Sequence, residues 1–283
     1  MTVNIFVKFI RFLPHSLALA LGRLIGRILR LVLWRKTDRA EARCVKALGV
    51  GVSIAREIIR GSFMNLGMSA VEFLRFPLMK AHVDDYMDFP EESQAVLREA
   101  LSRGKGVIFM TSHMANWELA AMRIIHAGFE LHAVYTPQRN DGGIETIISD
   151  IRQNVTGMHI IDNHRGLREI FKVLKAGGIV VIMQDLDARK DGVITNFLGL
   201  PASTHDGIIK LRQKFGSAVV PLHYTRDVNN PAHHVVIMPE ILSDREGFGL
   251  EMCDEMIGSW IRERPELWLW LMDRWEYTLG KNV

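Results

Sequence analysis

Three hydrophobic patterns follow one another along the chain. Residues 1–36 are apolar almost throughout, interrupted mainly by single basic side chains. From about residue 40 to 103 the apolar positions are spaced helically, as at Ile54, Ile58 and Ile59, and Pro77 and Pro90 punctuate the run. After Gly104 they gather into short blocks: VIFMT (107–111), LHAVYT (131–136), MHII (158–161), IVVIMQ (179–184), AVVPLHY (218–224) and HVVIM (234–238). Blocks of that length and composition read as buried strands. Helical stretches near 117–127, 144–155, 165–175 and 204–215 separate most of them, and helix-prone sequence resumes at about 249. Strand alternating with helix predicts an α/β fold, a mostly parallel central sheet flanked by helices. The predicted organisation is a basic amphipathic membrane-anchoring helical layer over 1–39 and a single α/β domain over 40–283.

The N-terminal segment admits three readings. A cleavable signal would end its apolar stretch at small residues, but here the hydrophobicity continues past Arg23 and Arg27. A spanning helix needs about 20 apolar residues free of interior charge, and Lys8, Arg11, Arg23, Arg27 and Arg30 break each candidate window. An interfacial helix fits the spacing. Arg23, Arg27 and Arg30 line one face, while Leu21, Leu24, Ile25, Ile28, Leu31 and Val32 cover the others. Basic side chains so placed reach lipid phosphates while the apolar ones sink into the acyl boundary, with Trp34 at the interface. Packing of the helix on the protein's own body is the competing reading; the width of the apolar face favours the membrane surface.

Charge sharpens this picture. The formal net charge of +3 conceals +7 over residues 1–40, where eight basic residues meet only Asp38, and −4 over the remainder. A nucleic-acid binder carries its excess on the folded body, so a membrane surface is the expected partner and nucleic acid is not. Cys44 and Cys253 are the only cysteines; they make neither a disulfide framework nor a zinc spacing, as suits a reducing compartment. His126, His132, His159, His164, His205 and His223 show no paired metal-ligand spacing, and no metal or other cofactor is expected.

Ligands of open α/β sheets bind beyond the carboxyl ends of the strands. The first strand, VIFMT, runs straight into Ser-His-Met-Ala-Asn-Trp-Glu. On one continuous helix His113 and Glu118 would point about 140° apart. If a helix instead starts at Asn116, a good N-cap type, His113 stands in the loop and Glu118 in the first turn behind it. The carboxylate then reaches one imidazole nitrogen and the other faces outward, the arrangement of a general base that takes a proton from a hydroxyl. Free N–H groups at the start of that helix are candidate oxyanion donors. A core histidine beside a capping glutamate satisfies the same five-residue spacing.

Here the sequence resembles the bacterial lipid A biosynthesis acyltransferases that add secondary acyl chains, within the lysophospholipid acyltransferase superfamily. The hallmark of that superfamily, a histidine followed after four residues by an acid, stands here as His113-Met-Ala-Asn-Trp-Glu118. Val134-Tyr-Thr-Pro-Gln-Arg-Asn140 is similar to a second block, and Gln184-Asp185-Leu-Asp-Ala-Arg189-Lys190-Asp-Gly192 with Phe197-Leu-Gly199 to a third. Val220-Pro221 and the tail Arg264-Pro265-Glu266-Leu-Trp268-Leu-Trp270 also match. The chain departs from the family at Thr136, where a basic residue is commoner, and at Leu186-Asp187-Ala188, where a glycine is common.

The resemblance implies a catalytic pair, His113 and Glu118, and an acyl carrier protein as donor. It implies as acceptor a hydroxyl on an acyl chain of a phosphorylated glucosamine disaccharide, a lipid A precursor, at the cytoplasmic face of the bacterial inner membrane. Both substrates are anionic while the body of the chain is net acidic, so Arg139, Arg189 and Lys190 are candidate substrate-binding groups. Asn116 and Asp185 are further candidates, Asp185 because it follows a buried strand and should face the same cleft. Trp260, Trp268, Trp270 and Trp275 read either as core or as an acyl-chain wall or second membrane contact. Transfer to another glycolipid or a glycerolipid is the neighbouring reading, although the Phe-Pro-Glu-Gly-Thr-Arg type of block usual in the glycerolipid branch is replaced here by Gln184-Asp185-Leu186-Asp187. A non-catalytic lipid-binding protein of the same fold is the alternative from outside enzymology. A serine hydrolase or zinc protease ranks lower, since neither G-x-S-x-G nor H-E-x-x-H occurs.

Overall fold

The computed structural model describes residues 2–135, 144–162 and 166–280. Four helices open the chain: α1 (Thr2–Phe12), α2 (His15–Val32), α3 (Trp34–Leu48) and α4 (Val52–Met79). Pro14, with its fixed φ and missing N–H, separates the first two. Helix α2 lies backbone to backbone on α4. A Cβ at Gly26 would stand 2.2 Å from the Phe63 carbonyl oxygen, and one at Gly67 would stand 2.1 Å from that of Gly22. Glycine alone permits so close an approach.

Ala18, Leu19, Gly22 and Gly26 are therefore buried on the body of the protein. Leu17, Leu24, Ile28, Leu31 and Val32 remain exposed, as do Ile5, Phe6, Phe9 and Phe12 of α1. The packing reading thus holds for one face of α2, and its remaining apolar residues are uncovered. Arg75 of α4 donates 2.6 Å hydrogen bonds to the carbonyls of Ile10 and Leu13, which satisfies acceptors left open at the end of α1. Among the described residues, no helix is long and apolar enough to cross a membrane.

The remaining elements alternate largely as the hydrophobic blocks predict. In order they are β1 (Met87–Asp88), α5 (Glu91–Ser102), β2 (Val107–Thr111), α6 (Trp117–His126), β3 (Leu131–Tyr135), α7 (Ile144–Asp150) with a π-helical continuation (Ile151–Thr156), β4 (His159–Asp162), α8 (Gly166–Lys175), β5 (Ile179–Met183), β6 (Val193–Phe197), β7 (Leu200–Thr204), α9 (Gly207–Phe215), β8 (Ala218–Pro221), β9 (His223–Arg226), β10 (His234–Ile237), α10 (Leu250–Glu263) and α11 (Glu276–Leu279). Among the described residues the central sheet has five strands, all parallel, in the order β4-β3-β5-β2-β8. The α/β fold with a mostly parallel sheet flanked by helices is as the sequence predicts.

Two strand predictions are corrected. The block AVVPLHY is two strands: β8 ends at Pro221, the Leu222 N–H still donates to the Met110 carbonyl of β2 at 2.9 Å, and from His223 the chain pairs in another sheet. Strand β9 then pairs antiparallel with β10 in a separate sheet of order β1-β10-β9. The hairpin β6–β7 lies outside every predicted block. Its two-residue turn is Leu198-Gly199, with φ of 55° and 85°, a conformation that glycine supplies readily at the second position.

Candidate active site

Strands β2 and β5 are adjacent and in register, Thr111 opposite Met183, and the Gln184 N–H still donates to the Thr111 carbonyl at 2.9 Å. Two residues past each paired end stand His113 and Asp185, so the register itself brings them together. Asp185 Oδ1 lies 2.9 Å from His113 Nδ1, while Oδ2 accepts from the His113 backbone N–H at 2.7 Å and from the Trp268 indole N–H at 2.9 Å. Asp185 is fully buried. It is expected to face the substrate cleft; instead it sits behind the imidazole and occupies the position predicted for Glu118.

The turn from β2 into α6 is clamped from two sides. Ala115 adopts φ 41°, unusual for a residue with a Cβ. Its carbonyl accepts from Asn65 Nδ2 at 3.1 Å and Ser69 Oγ at 2.9 Å on α4, and its N–H donates to Leu267. The Leu269 N–H donates to the His113 carbonyl at 2.9 Å. Such a conformation persists only where its surroundings over-determine it. Asn116 caps α6 as predicted, its Oδ1 accepting from the Leu119 N–H at 3.0 Å, and its Nδ2 donates to Glu72 Oε2 at 2.8 Å. Both ends of that amide are engaged within the protein, so Asn116 holds the turn. The Leu119 N–H, one of the candidate oxyanion donors, is spent on the cap.

Glu118 is in the first turn of α6, as predicted, but its carboxylate is paired with Arg152 from the π-helical turn. Arg152 Nε donates to it at 3.1 Å, and so does the Trp117 indole at 3.1 Å. The Arg152 guanidinium also lies 4.4 Å from the centroid of the Tyr135 ring. No sequence spacing links residues 118 and 152. The only available signal was a basic residue within a helix between two strands.

His113, Trp117, Glu118 and Arg152 border an apolar cavity of about 180 Å³ whose floor includes Ala133, Val181 and other strand side chains. Burial acts to lower the His113 pKa, but the charge and hydrogen bond of Asp185, with a smaller contribution from Glu118, outweigh it and raise the imidazole above its ordinary value. Burial acts to raise Asp185, and the imidazole and the N–H donors overcome it, so that its pKa falls. For Arg152 the penalty of burial is likewise exceeded by Glu118 and Tyr135, and its pKa rises.

Other predicted site residues lie elsewhere. Arg139 falls outside the described residues. Arg189 and Lys190 are exposed on a three-residue 3-10 turn, and neither borders the cavity. Their closeness to Asp185 in sequence does not carry over, because the chain turns outward at Leu186. The tryptophans of the tail are core: Trp268, Trp270 and Trp275 are each 1% exposed and packed on one another, Trp268 and Trp270 edge to face with centroids 4.7 Å apart. That burial removes the second membrane contact from consideration.

Fold and site together define a class: an open parallel α/β sheet with a histidine–carboxylate pair at the carboxyl end of its central strands, over an apolar cavity. Within that class the chain belongs to a specific family. Residues 1–277 match the family described as bacterial lipid A biosynthesis acyltransferase. It is also similar to the phosphatidylinositol mannoside acyltransferases of two Mycobacterium tuberculosis strains, CDC 1551 / Oshkosh and ATCC 25618 / H37Rv, at 27% identity over 134 residues. That match covers 45% of this chain and 41% of each relative, so the chain spans less than half the length of the curated relatives it matches.

Proposed function

We propose that the protein is a lipid acyltransferase that moves a fatty acyl chain from acyl carrier protein to a hydroxyl of a lipid A precursor at the cytoplasmic face of the inner membrane. The observation that carries this reading is the His113–Asp185 pair at the mouth of an apolar cavity. With Nδ1 held by Asp185, Nε2 is the ring nitrogen left to exchange a proton. It takes the proton of the acceptor hydroxyl as the oxygen attacks the thioester carbonyl carbon. The tetrahedral intermediate collapses, the carbon–sulfur bond breaks, and the imidazolium returns its proton to the departing thiolate. Asp185 fixes the tautomer and stabilises the imidazolium. Arg152 borders the cavity and supplies positive charge for the developing oxyanion; Glu118 positions Arg152 and adds negative charge near the imidazole. The exposed apolar side chains of α1 and α2, with Lys8, Arg23 and Arg27 beside them, support contact with an anionic lipid surface.

A second reading of the acceptor, a glycolipid other than lipid A, is supported by the mycobacterial relatives. Mass spectrometry of lipid A from a Gram-negative host lacking its late acyltransferases separates the two. A gain of one fatty acyl group with this gene supplied, absent with His113→Ala, is the expected result. No gain from folded protein would overturn the lipid A assignment and favour the other acceptor. A cellular role kept by both His113→Ala and Asp185→Asn would mark a lipid binder rather than an enzyme.

A further inference from the structure

A second apolar cavity, about 190 Å³, lies on the other side of the Glu118–Arg152 pair. Leu66, Ala70 and Phe73 of α4 line it with Ile148 of α7, and Trp117, Glu118 and Arg152 border both cavities. Leu66, Ala70 and Phe73 follow at i, i+4 and i+7, one continuous apolar stripe on the helix. We infer that this cavity holds a fatty acyl chain of the acceptor lipid, while the cavity under His113 holds the chain being transferred. This rests on the acyl-transfer reading above and adds to it a second hydrocarbon subsite.

Three features carry the assignment. The lining offers little to a sugar or phosphate. Ser69 Oγ donates to the Ala115 carbonyl, the Asn116 amide is engaged by Glu72 and Leu119, and Glu118 and Arg152 satisfy each other. The transfer joins two hydrocarbon-bearing molecules, and the two cavities meet at one shared wall of Trp117, Glu118 and Arg152 beside the imidazole, so the chains approach each other where the ester forms. The second cavity is walled by α4, the helix on which α1 and α2 are packed. Those helices carry the exposed Phe9, Phe12, Leu24 and Ile28, so a lipid resident in the membrane reaches this side. The cavity under His113 is floored by sheet side chains such as Leu131, Ile160 and Val181 and suits a chain delivered by a soluble carrier.

The test uses the full-length protein in detergent, an acylated carrier protein as donor, and a hydroxyacylated phosphoglucosamine disaccharide as acceptor. Ala70 is exposed on α4, so Ala70→Trp fills the second cavity from its rim without disturbing the core. The expected result is an acceptor KM raised about tenfold or more, with the donor KM and the slow hydrolysis of donor in the absence of acceptor unchanged. Ala133→Phe, which fills the first cavity, raises the donor KM and leaves that of the acceptor. An unchanged acceptor KM in Ala70→Trp, or a raised donor KM, overturns the assignment while leaving acyl transfer intact. Wild-type protein that hydrolyses donor but acylates neither this acceptor nor another glycolipid overturns the acyl-transfer reading itself, and the second subsite with it.

Discussion

Glu72 Oε2 accepts a 2.8 Å hydrogen bond from Asn116 Nδ2, which joins a carboxylate buried inside α4 to the cap of the helix that carries Glu118. The same carboxylate is forked by Arg226, at 3.0 Å to Nη1 and 2.7 Å to Nη2, and lies 3.2 Å from His234 Nε2. Burial acts to raise the Glu72 pKa, but Arg226 first and His234 second hold it well below the usual carboxylate range. The strained turn at Ala115 therefore leans on an ionic cluster as well as on backbone packing.

Removing that carboxylate leaves Arg226, 3% exposed, without its counter-charge. Glu72→Ala is expected to cost about 3–5 kcal/mol of stability at neutral pH, read by urea unfolding. Because the folded pKa is depressed, Glu72 contributes fully above the ordinary value of 4.5 and loses that contribution as pH falls below it. The gap between wild type and Glu72→Gln should narrow in acid. A gap that widens would show that the cluster does not hold Glu72 ionised.

The His113–Asp185 pair sets a pH dependence with a definite sign. A general base acts as the neutral imidazole, and Asp185 raises its pKa, so kcat/KM should climb with pH through a value above the ordinary 6.5. Asp185→Asn removes that contribution and the hold on the tautomer. It is expected to lower kcat by roughly 10²–10⁴-fold and to move the acidic limb to lower pH. A limb that stays in place would sink the role given to Asp185.

Much of this fold was legible because buried parallel strands write themselves as short apolar blocks, and five of the six blocks supply a strand of the central sheet. The hairpin β6–β7 was not legible. Val193 and Ile194 are exposed while Thr195 and Thr204 are buried around Asp254, which inverts the usual sense of an apolar pattern. The histidine and its turn followed from a strand running into an N-cap residue. Its carboxylate partner did not, because the pairing of residues 113 and 185 depends on which strands are neighbours, and strand order is not encoded in local spacing. Arg152 and Glu72 were missed for the same reason: each meets the site across the fold.

The Glu118–Arg152 pair makes a separable prediction. Arg152→Ala is expected to lower kcat by about 10²–10³-fold with donor KM little changed, and Arg152→Lys to recover only part, since lysine keeps the charge but not the fork. Glu118 helps to raise the His113 pKa through its charge. Glu118→Gln should therefore shift the acidic limb in the same direction as Asp185→Asn and by less. Equal activity of the lysine and wild-type proteins would reduce Arg152 to a point charge.

The membrane contact proposed for α1 and α2 is best tested at side chains rather than by truncation. Deleting residues 1–35 would strip α2 from α4 and expose the contact made at Gly22, Gly26 and Gly67, so any loss of binding would be confounded with unfolding. Phe9 and Phe12 are 51% and 87% exposed and make no part of that contact. Burying a phenylalanine is worth about 1.5–3 kcal/mol. Phe9→Ser with Phe12→Ser should thus weaken partition onto anionic vesicles by roughly 10²–10⁴-fold with the unfolding midpoint unchanged. Gly26→Ala should do the reverse. Its Cβ meets the Phe63 carbonyl and costs about 1–3 kcal/mol of stability, while the uncovered apolar face is kept. Double-serine protein that sediments with vesicles as wild type does would move the membrane contact away from α1.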